Sequence, residues 1–409
     1  MNDFMMRLTG CIALLVGLVA CDGFLEVQNP GGIQDDNLDD PVVFEALVFG
    51  MEEDFGVAIS ELAPEAGVMA DEWTYVGNSN SIRNFSEGLI RDDQIGGHWN
   101  RLQRALWVSE DGIERIRSVS GQAALDESPL GVRAHLVAGF ANRVLGELFC
   151  ESVFDGGPAE PHTVALERAE NHFSEAARIA QNQGLTDGWT AAIGARASVR
   201  AWLGDWSGAE DDASQVPTDF FHGAQFWAEG ATPPGPGGRG VNRVWRENIH
   251  TQVYTVAESR WGDVTTDPRV AFDTVYRDDG SVAPATDGLT PLLLQMKYPE
   301  PGADIPLVTG TGMLLLRAEA RLRANDVGGA EALMNANRAA YGLDPISVSD
   351  ESEAWAALQD ERAAELWLEG RRFWDLRRWQ AEGRSDFLDG RDTCIPISDR
   401  ERNTNPNLS

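Results

Sequence analysis

Aromatic, amide and charged side chains are concentrated in two stretches without helical periodicity, residues 71–83 and 217–306. A sugar has flat apolar C–H faces rimmed by hydroxyls, so a site for it needs exposed aromatic rings beside amides and carboxylates. Trp107, Trp202 and Trp367 fall on helical stripes and are assigned to the core. We therefore predict a ligand site from the side chains of the two loop stretches: Asp71, Trp73, Tyr75, Asn78, Asn80, Arg83, Trp227, Trp245, Trp261 and Tyr276. The competing interpretation is that these aromatic rings only anchor their loops.

Catalytic signatures are scarce. No HExxH or GxSxG occurs, and the six histidines are scattered. Residues 235–240 match GxGxxG by letters, but prolines 233, 234 and 236 forbid the strand and helix that a dinucleotide-binding turn needs. We expect no enzyme activity, no cofactor and no metal. A carboxylate pair of the glycosidase kind stays an open alternative, because acidic residues are so numerous that some must lie close together.

The charge balance excludes one class of partner. The chain has 65 acidic and 33 basic side chains among 409 residues, a formal charge of −32. Such an excess repels phosphate backbones, so we expect no nucleic acid partner. The hydrophobic fraction of 43% is enough for a sizeable core, and no apolar run reaches the ~18 residues of a transmembrane helix.

The N-terminus is typical of a lipoprotein signal peptide. Residues 8–20 form an apolar run that is too short to span a bilayer. The run ends in Leu18-Val19-Ala20-Cys21, the pattern of a bacterial lipobox, in which the cysteine is acylated and becomes the mature N-terminus. We therefore predict cleavage after residue 20, a lipid on Cys21 and an extended tether over residues 21–40.

Two cysteines remain in the predicted mature chain besides Cys21, namely Cys150 and Cys394. An exported protein permits a disulfide between them. Because they lie far apart in sequence, two separate thiols are an equal alternative. Neither belongs to a CxxC pair, so a structural zinc site is not expected.

From Pro41 onward the sequence predicts helices. Asp40 and Ser128 are predicted N-caps, each followed by a proline at the first helical position. Apolar residues at helical spacing predict helices over residues 98–119, 129–149, 164–182 and 188–203. Residues 196–213 align without gaps to residues 317–334, with seven of 18 positions identical. Repeated helix pairs with small residues at their contacts are typical of tetratricopeptide arrays.

The predicted fold class is therefore mainly α, a tetratricopeptide-like helical-repeat array with an irregular, loop-rich ligand-facing region. The inserted region holds ten of the 19 prolines and has weak helical periodicity. We divide the chain into a signal peptide (1–20), a tether (21–40), an N-terminal helical part (41–216), a loop-rich inserted part (217–306) and a C-terminal helical part (307–409).

Residues 354–379 place charges on an apolar helix face. Arg362 and Glu369 fall inside the stripe, and Glu365 and Arg372 flank it. Unpaired charges there would be costly, so we predict a buried structural ion network in which these charges neutralise one another. The functional alternative is a catalytic carboxylate at Glu369.

The same segment carries a family resemblance. Residues 360–379, DERAAELWLEGRRFWDLRRW, closely resemble the C-terminal signature of SusD/RagB nutrient-uptake lipoproteins. Other pieces follow in the order of the family: Cys21 with Phe24-Leu25, Asp71, Trp99, Asp267-Pro268-Arg269, Lys297-Tyr298-Pro299, Ala318-Glu319-Ala320, Asn335, Arg338, Gly342-Leu343, Ile395-Pro396-Ile397 and Asn405-Pro406-Asn407-Leu408. The resemblance spans nearly the whole chain and is weakest in the ligand loops.

The resemblance implies a SusD-like fold and a lipoprotein anchored in the outer membrane, facing the exterior. It implies capture of a glycan or a peptide and delivery to a SusC-like TonB-dependent transporter, which the protein caps as a lid. Two other hypotheses stay open. The protein could be a surface glycoside hydrolase using two acids from residues 217–306, or a helical-repeat scaffold without a small ligand.

Overall fold

The computed structural model describes residues 35–227, 240–263 and 266–408, so Cys21, the signal peptide and most of the predicted tether lie outside the described residues. Within these ranges no helix is both long enough and apolar enough to cross a membrane. The main helices are α1 (Phe44–Met69), α2 (Asn80–Ser86), α3 (Gly96–Ser120), α4 (Gln122–Asp126), α5 (Pro129–Leu148), α6 (His162–Gln183), α7 (Thr186–Trp202), α8 (Trp206–Ala213), α9 (Gly310–Arg323), α10 (Val327–Ala340), α11 (Glu351–Glu365), α12 (Arg372–Ala381) and α13 (Asp399–Thr404).

The helices pack largely in chain order. α1 packs on α3 and α5, and α5, α6, α7 and α8 pack in succession. Small residues permit these close contacts: a Cβ at Gly139 of α5 would stand 2.5 Å from the ring of Phe173 on α6. The helices predicted from periodicity are present with bounds shifted by one or two residues, and Asp40 and Ser128 cap as expected. The mainly α, tetratricopeptide-like fold class is confirmed.

The internal repeat has a physical basis in one capping geometry. Asp205 Oδ1 accepts a hydrogen bond from Gly208 N at 2.9 Å, and Asp326 Oδ1 accepts one from Gly329 N at 2.8 Å. A Cβ at either glycine would stand 2.2 or 2.1 Å from the capping carboxylate, so a larger residue there would require that carboxylate to move. The two repeats also contact each other, because α9 packs on α8.

The described strands are short and form four two-stranded antiparallel sheets. The pairs are β1 (Thr74–Tyr75) with β5 (Tyr254–Thr255), β2 (Glu151–Ser152) with β3 (Glu160–Pro161), β4 (Phe221–Ala224) with β8 (Ile305–Thr309), and β6 (Phe272–Thr274) with β7 (Leu293–Gln295). The stretch 71–83, predicted to be a loop without helical periodicity, contains β1 and the start of α2. Both elements are too short to produce a readable hydrophobic period.

Cys150 and Cys394 form a disulfide with an S–S distance of 2.06 Å, which resolves the alternative that the sequence left open. Backbone hydrogen bonds flank it: Cys150 N donates to Ile395 O and Ile395 N donates to Leu148 O, each at 2.8 Å. The C-terminal segment is thereby fixed to the end of α5.

Candidate ligand-binding face

The two stretches predicted to hold ligand residues meet in the structure. β1 pairs with β5, so Tyr75 lies opposite Tyr254. Val76 N extends the pairing by donating to Val253 O at 2.8 Å. We call the surface made by the joined segments the loop face: residues 71–83, 250–263 and 272–294.

A small apolar cluster holds the third segment of the loop face against the first. Its buried members are Val76, Ala285 and Leu292, and Val275 packs against them. Tyr276 directly follows Val275, and its backbone pairs with Val282 beside this cluster. The cluster is separate from the main core.

The C-terminal signature holds the base of the loop face. Arg372 donates two hydrogen bonds to Asp71, from Nε to Oδ1 at 3.0 Å and from Nη2 to Oδ2 at 3.1 Å. Trp367 Nε1 donates to Glu72 O at 3.1 Å, and Leu368 N donates to Glu72 Oε1 at 2.7 Å. The two acids that begin the loop are therefore positioned from the other end of the chain.

Asp71 is a structural ion-pair partner, which corrects its prediction as a ligand residue. Burial alone would raise the pKa of this carboxyl, but the charge and hydrogen bonds of Arg372 outweigh it and lower the pKa of Asp71. Arg260 Nη1 lies 3.6 Å from Asp71 Oδ2 on the other side. The ionised carboxylate is thus engaged by protein groups.

Glu72 is a buried acid that sequence reasoning missed. Its side chain is 1% exposed, and burial raises its pKa to about 8, although the hydrogen bond from Leu368 N works in the opposite direction. Glu72 is therefore mostly protonated at neutral pH. No local pattern separates it from the many surface acids, because its burial depends on the packing of residues 367 and 368.

Trp73 belongs to the core, which corrects its prediction as an exposed ligand residue. It is 3% exposed, its Nε1 donates to Pro64 O at 2.9 Å, and its ring stacks on Tyr254 with centroids 4.5 Å apart. Tyr75 is half-buried, and its hydroxyl oxygen accepts a hydrogen bond from Ser79 N at 2.7 Å. For these two rings the competing interpretation describes the geometry: they anchor the loop.

The polar residues of the same loop reach solvent. Asn78, Asn80 and Arg83 are exposed, and Arg83 Nη2 donates to Gly77 O at 3.3 Å. Asn80 begins α2, which gives this part of the loop a defined backbone. These amides and the guanidinium can supply donors and acceptors to the hydroxyls of a ligand.

The four aromatic residues predicted from the inserted part differ in exposure. Tyr276 is 64% exposed. Trp227, Trp245 and Trp261 are half-buried, and Trp245 stacks on His250 at 5.7 Å between centroids. Of these four rings, Tyr276 is therefore the most accessible for stacking on a ligand.

The charges predicted for the buried ion network are buried, but their partners come from other elements. Arg362 Nε donates to Asp375 Oδ2 at 2.8 Å, and Glu369 Oε1 accepts from Lys297 Nζ at 2.8 Å. The expected mutual neutralisation of Arg362 and Glu369 is therefore wrong. The helical wheel treats 354–379 as one helix, whereas α11 ends at residue 365 and α12 begins at residue 372.

The remaining network members are likewise engaged. Glu365 Oε2 accepts from Asn337 Nδ2 at 3.0 Å, and Arg372 pairs with Asp71 as described. Burial raises the pKa of Glu369 while Lys297 opposes the shift. Burial also disfavours the charge of Asp375, yet Arg362 and Arg378 outweigh that effect and hold its pKa well below the usual range.

Two aromatic side chains outside the predicted set are more than half exposed, Trp107 at 53% and Phe221 at 52%. Assigning Trp107 to the core was wrong. The buried residues of α3 include Leu106 and Ile113, and a helical wheel turns Trp107 about 100° away from Leu106.

Among the described residues no group of three or more His, Cys, Asp or Glu side chains could hold a metal ion.

Fold and loop face together define a helical-repeat protein that presents a polar and aromatic surface. A SusD family model matches residues 304–394, which include the signature segment. No curated protein is similar to the chain at the sequence level. The family resemblance is confirmed by this match over residues 304–394, and solved structures of SusD superfamily proteins share the fold of the chain.

Three solved structures illustrate the shared fold. A SusD superfamily protein from Bacteroides thetaiotaomicron has a TM-score of 0.66 and 14% identity, covering 91% of this chain and 98% of that one. A SusD superfamily protein from Bacteroides vulgatus has a TM-score of 0.59 and 16% identity, covering 88% and 98%. Surface glycan-binding protein A from Bacteroides uniformis has a TM-score of 0.64 and 12% identity, covering 88% and 98%.

Proposed function

We propose that this protein is a lipid-anchored cell-surface protein that captures a glycan and passes it to a TonB-dependent outer-membrane transporter, for which it acts as a lid. The observation that carries the proposal is the pairing of β1 with β5, which joins two segments distant in sequence into one loop face. That face combines the exposed ring of Tyr276 with the exposed polar groups of Asn78, Asn80 and Arg83.

Sugar binding matches the chemistry of this face. An exposed ring offers stacking to the C–H face of a pyranose, and amides can both donate to and accept from its hydroxyls. The SusD family match over residues 304–394 favours the same ligand class, and one structure of similar fold carries the name surface glycan-binding protein A. A peptide is the second ligand class, since amides also bind peptide groups.

The alternative of a catalytic carboxylate at Glu369 is disfavoured by its burial. Glu369 is 4% exposed and accepts a hydrogen bond from Lys297, so it does not face a surface where a substrate could reach it. The glycosidase alternative predicts turnover of a polysaccharide by the purified protein. The scaffold alternative predicts protein partners and no small ligand.

The lipid anchor belongs to the same proposal. A lipid on Cys21 followed by a tether would keep the binding part near one transporter and raise its effective concentration there. Cys21→Ser should leave an unlipidated precursor and abolish membrane anchorage. Mass spectrometry that finds a mature N-terminus elsewhere would contradict this part of the proposal.

The test of ligand binding uses residues 22–409 on glycan and peptide arrays, followed by calorimetry with the strongest binder. We expect a glycan to bind and Tyr276→Ala to weaken it. Phe221→Ala is the matched control, because its ring is similarly exposed but lies outside the loop face. Equal loss in both variants, or binding only to peptides, would contradict the proposal.

The test of the partner is co-purification from outer membranes solubilised in mild detergent. We expect a large β-barrel transporter to accompany the full-length protein. Recovery as a free monomer in several mild detergents would count against the transporter role without affecting the ligand test.

A further inference from the structure

Trp107 differs from every other tryptophan in the chain. All thirteen tryptophans lie in described residues, and Trp107 alone has a side chain that is more than half exposed. It sits on α3, and none of the residues around it belongs to the loop face. The surface around this indole therefore has no role in the function proposed above.

A cavity of about 320 Å³ adjoins the indole. Its polar walls come from three segments: Glu110 on α3, Asp155 in the turn between β2 and β3, and His172 on α6. Cavities from about 300 Å³ upward are typical of small-molecule sites. Trp107 thus forms the apolar side of a concave polar surface.

Glu110 is held as a fixed acceptor in this cavity. Its Oε1 accepts hydrogen bonds from Arg168 Nη2 at 2.9 Å, His172 Nε2 at 3.1 Å and Asn142 Nδ2 at 3.2 Å. Burial alone would raise its pKa, but His172 and Arg168 outweigh burial and lower the pKa to about 2. All three bonds end on Oε1, so Oε2 keeps its capacity to accept from a ligand.

Asp155 contributes a second carboxylate from a well-defined turn. Its backbone has φ +50°, and the turn closes with a hydrogen bond from Gly157 N to Phe154 O at 2.8 Å. The guanidinium of Arg168 lies 4.2 Å from the ring centroid of Phe154 and holds the turn against α6. The disulfide at Cys150 anchors the strand that precedes the turn.

We propose that this pocket is a second saccharide-binding site, in which one pyranose ring of a neutral oligosaccharide stacks on Trp107 and donates hydroxyl protons to Glu110 Oε2 and Asp155. The proposal rests on the proposed glycan-binding function and adds a site outside the loop face. An apolar ligand would desolvate both carboxylates without compensation, and an anion would be repelled because four acids line the cavity against two arginines. Hydroxyl donors satisfy the carboxylates while the C–H face covers the indole.

The test measures the affinities of maltohexaose, cellohexaose and xylohexaose for the full chain by calorimetry. We expect at least one of them to bind, and Trp107→Ala to raise its Kd about tenfold, as for a lost aromatic hot spot. Glu110→Gln should also weaken binding, because it retains one acceptor oxygen and replaces the other by a donor. Val119→Ala, an exposed truncation on the same helix, should change nothing.

Acrylamide quenching of tryptophan fluorescence supplies a readout that is local to the pocket. The bound hexasaccharide should protect wild-type fluorescence and should have no such effect in Trp107→Ala. The same measurement on Tyr276→Ala should retain the protection, because Tyr276 belongs to the loop face.

The outcomes separate this inference from the proposed function. If Tyr276→Ala weakens hexasaccharide binding while Trp107→Ala does not, the second site is wrong and the loop face stands. Failure of all three hexasaccharides to bind also overturns the second site, and failure of the whole glycan array overturns the proposed function as well. Loss of a protein partner in Trp107→Ala, with saccharide affinity retained, would mark the surface as a protein-docking site and overturn the inference.

Discussion

Arg372 donates two hydrogen bonds to Asp71, which lies 301 positions earlier in the chain. The Arg372 side chain is 4% exposed and that of Asp71 is 14% exposed, so the pair is largely removed from water. It links the C-terminal signature to the loop that begins the candidate ligand face. The signature therefore positions a binding surface that it does not itself form.

Asp71→Asn should leave the buried guanidinium of Arg372 without its hydrogen-bonded counter-charge and lower the free energy of unfolding by about 3–5 kcal/mol. The control is Asp54→Asn, which removes an ion pair whose Arg104 is 71% exposed and should cost only ~0–1 kcal/mol. Urea denaturation of both variants checks the difference. An equal loss of unfolding free energy in the two variants would show that the buried ion pair of Asp71 contributes no more than the exposed pair of Asp54.

The lowered pKa of Asp71 also predicts a pH dependence. A carboxyl with a depressed folded-state pKa contributes stability above its unfolded pKa and loses it as pH falls through the folded value. The stability gap between wild type and Asp71→Asn should therefore narrow below about pH 4. Denaturation curves at pH 3 and pH 7 measure the gap, and a constant gap would contradict the assignment.

Glu72 predicts the opposite pH dependence. Its pKa is raised by burial to about 8, so its contribution is fully present below the unfolded value and is lost as pH rises through the folded value. Relative to Glu72→Gln, which stays neutral, wild type should lose stability between pH 5 and pH 9. Parallel stability curves for the two proteins would refute the raised pKa.

Trp73 and Tyr276 should separate packing from ligand binding. Trp73→Ala should cost about 3–5 kcal/mol of unfolding free energy, because the ring is 3% exposed and a cavity would remain. Tyr276→Ala should change stability by no more than ~0.5 kcal/mol and weaken glycan binding by about 1–3 kcal/mol. Calorimetry and thermal melting give both numbers. If Trp73→Ala weakened binding and Tyr276→Ala lowered stability instead, the assignment of Tyr276 as the ligand-contacting ring would be wrong.

Arg362→Met should destabilise the protein by about 3–5 kcal/mol, because it removes one of the two arginines that hold the buried Asp375. The double variant Arg362→Met/Asp375→Leu should recover part of the loss, since the under-compensated buried carboxylate is removed and Arg378 keeps its pairing with Glu319. Chemical denaturation of the single and double variants measures the coupling. A double variant that is less stable than the single one would contradict this explanation.

Removing the disulfide should lower the free energy of unfolding by about 2–5 kcal/mol. Cys150→Ala, Cys394→Ala and the double variant should lose the same amount, because each removes the same bridge. Denaturation with and without reductant, together with a count of free thiols, checks the prediction. Wild type that is unaffected by reductant, with two reactive thiols, would disprove the bridge.

The sequence by itself determined the features that depend on a few neighbouring residues. Periodicity located the long helices, and the caps at Asp40 and Ser128 follow from a side chain and a backbone N–H two positions apart. The repeat was readable because Asp205 with Gly208, and Asp326 with Gly329, each form a local capping geometry. The family resemblance was readable from the signature segment for the same reason, because its residues are contiguous in the sequence.

Tertiary structure alone decided which side chains face a ligand and which ones anchor the fold. Asp71 and Trp73 look like ligand residues in their own loop, but Arg372 and Tyr254, which hold them, are far away in sequence. Trp107 belongs to a long amphipathic helix, yet it lies on the face turned away from the buried residues. Burial and ion pairing depend on which distant surfaces meet in space, and a local pattern does not encode those contacts.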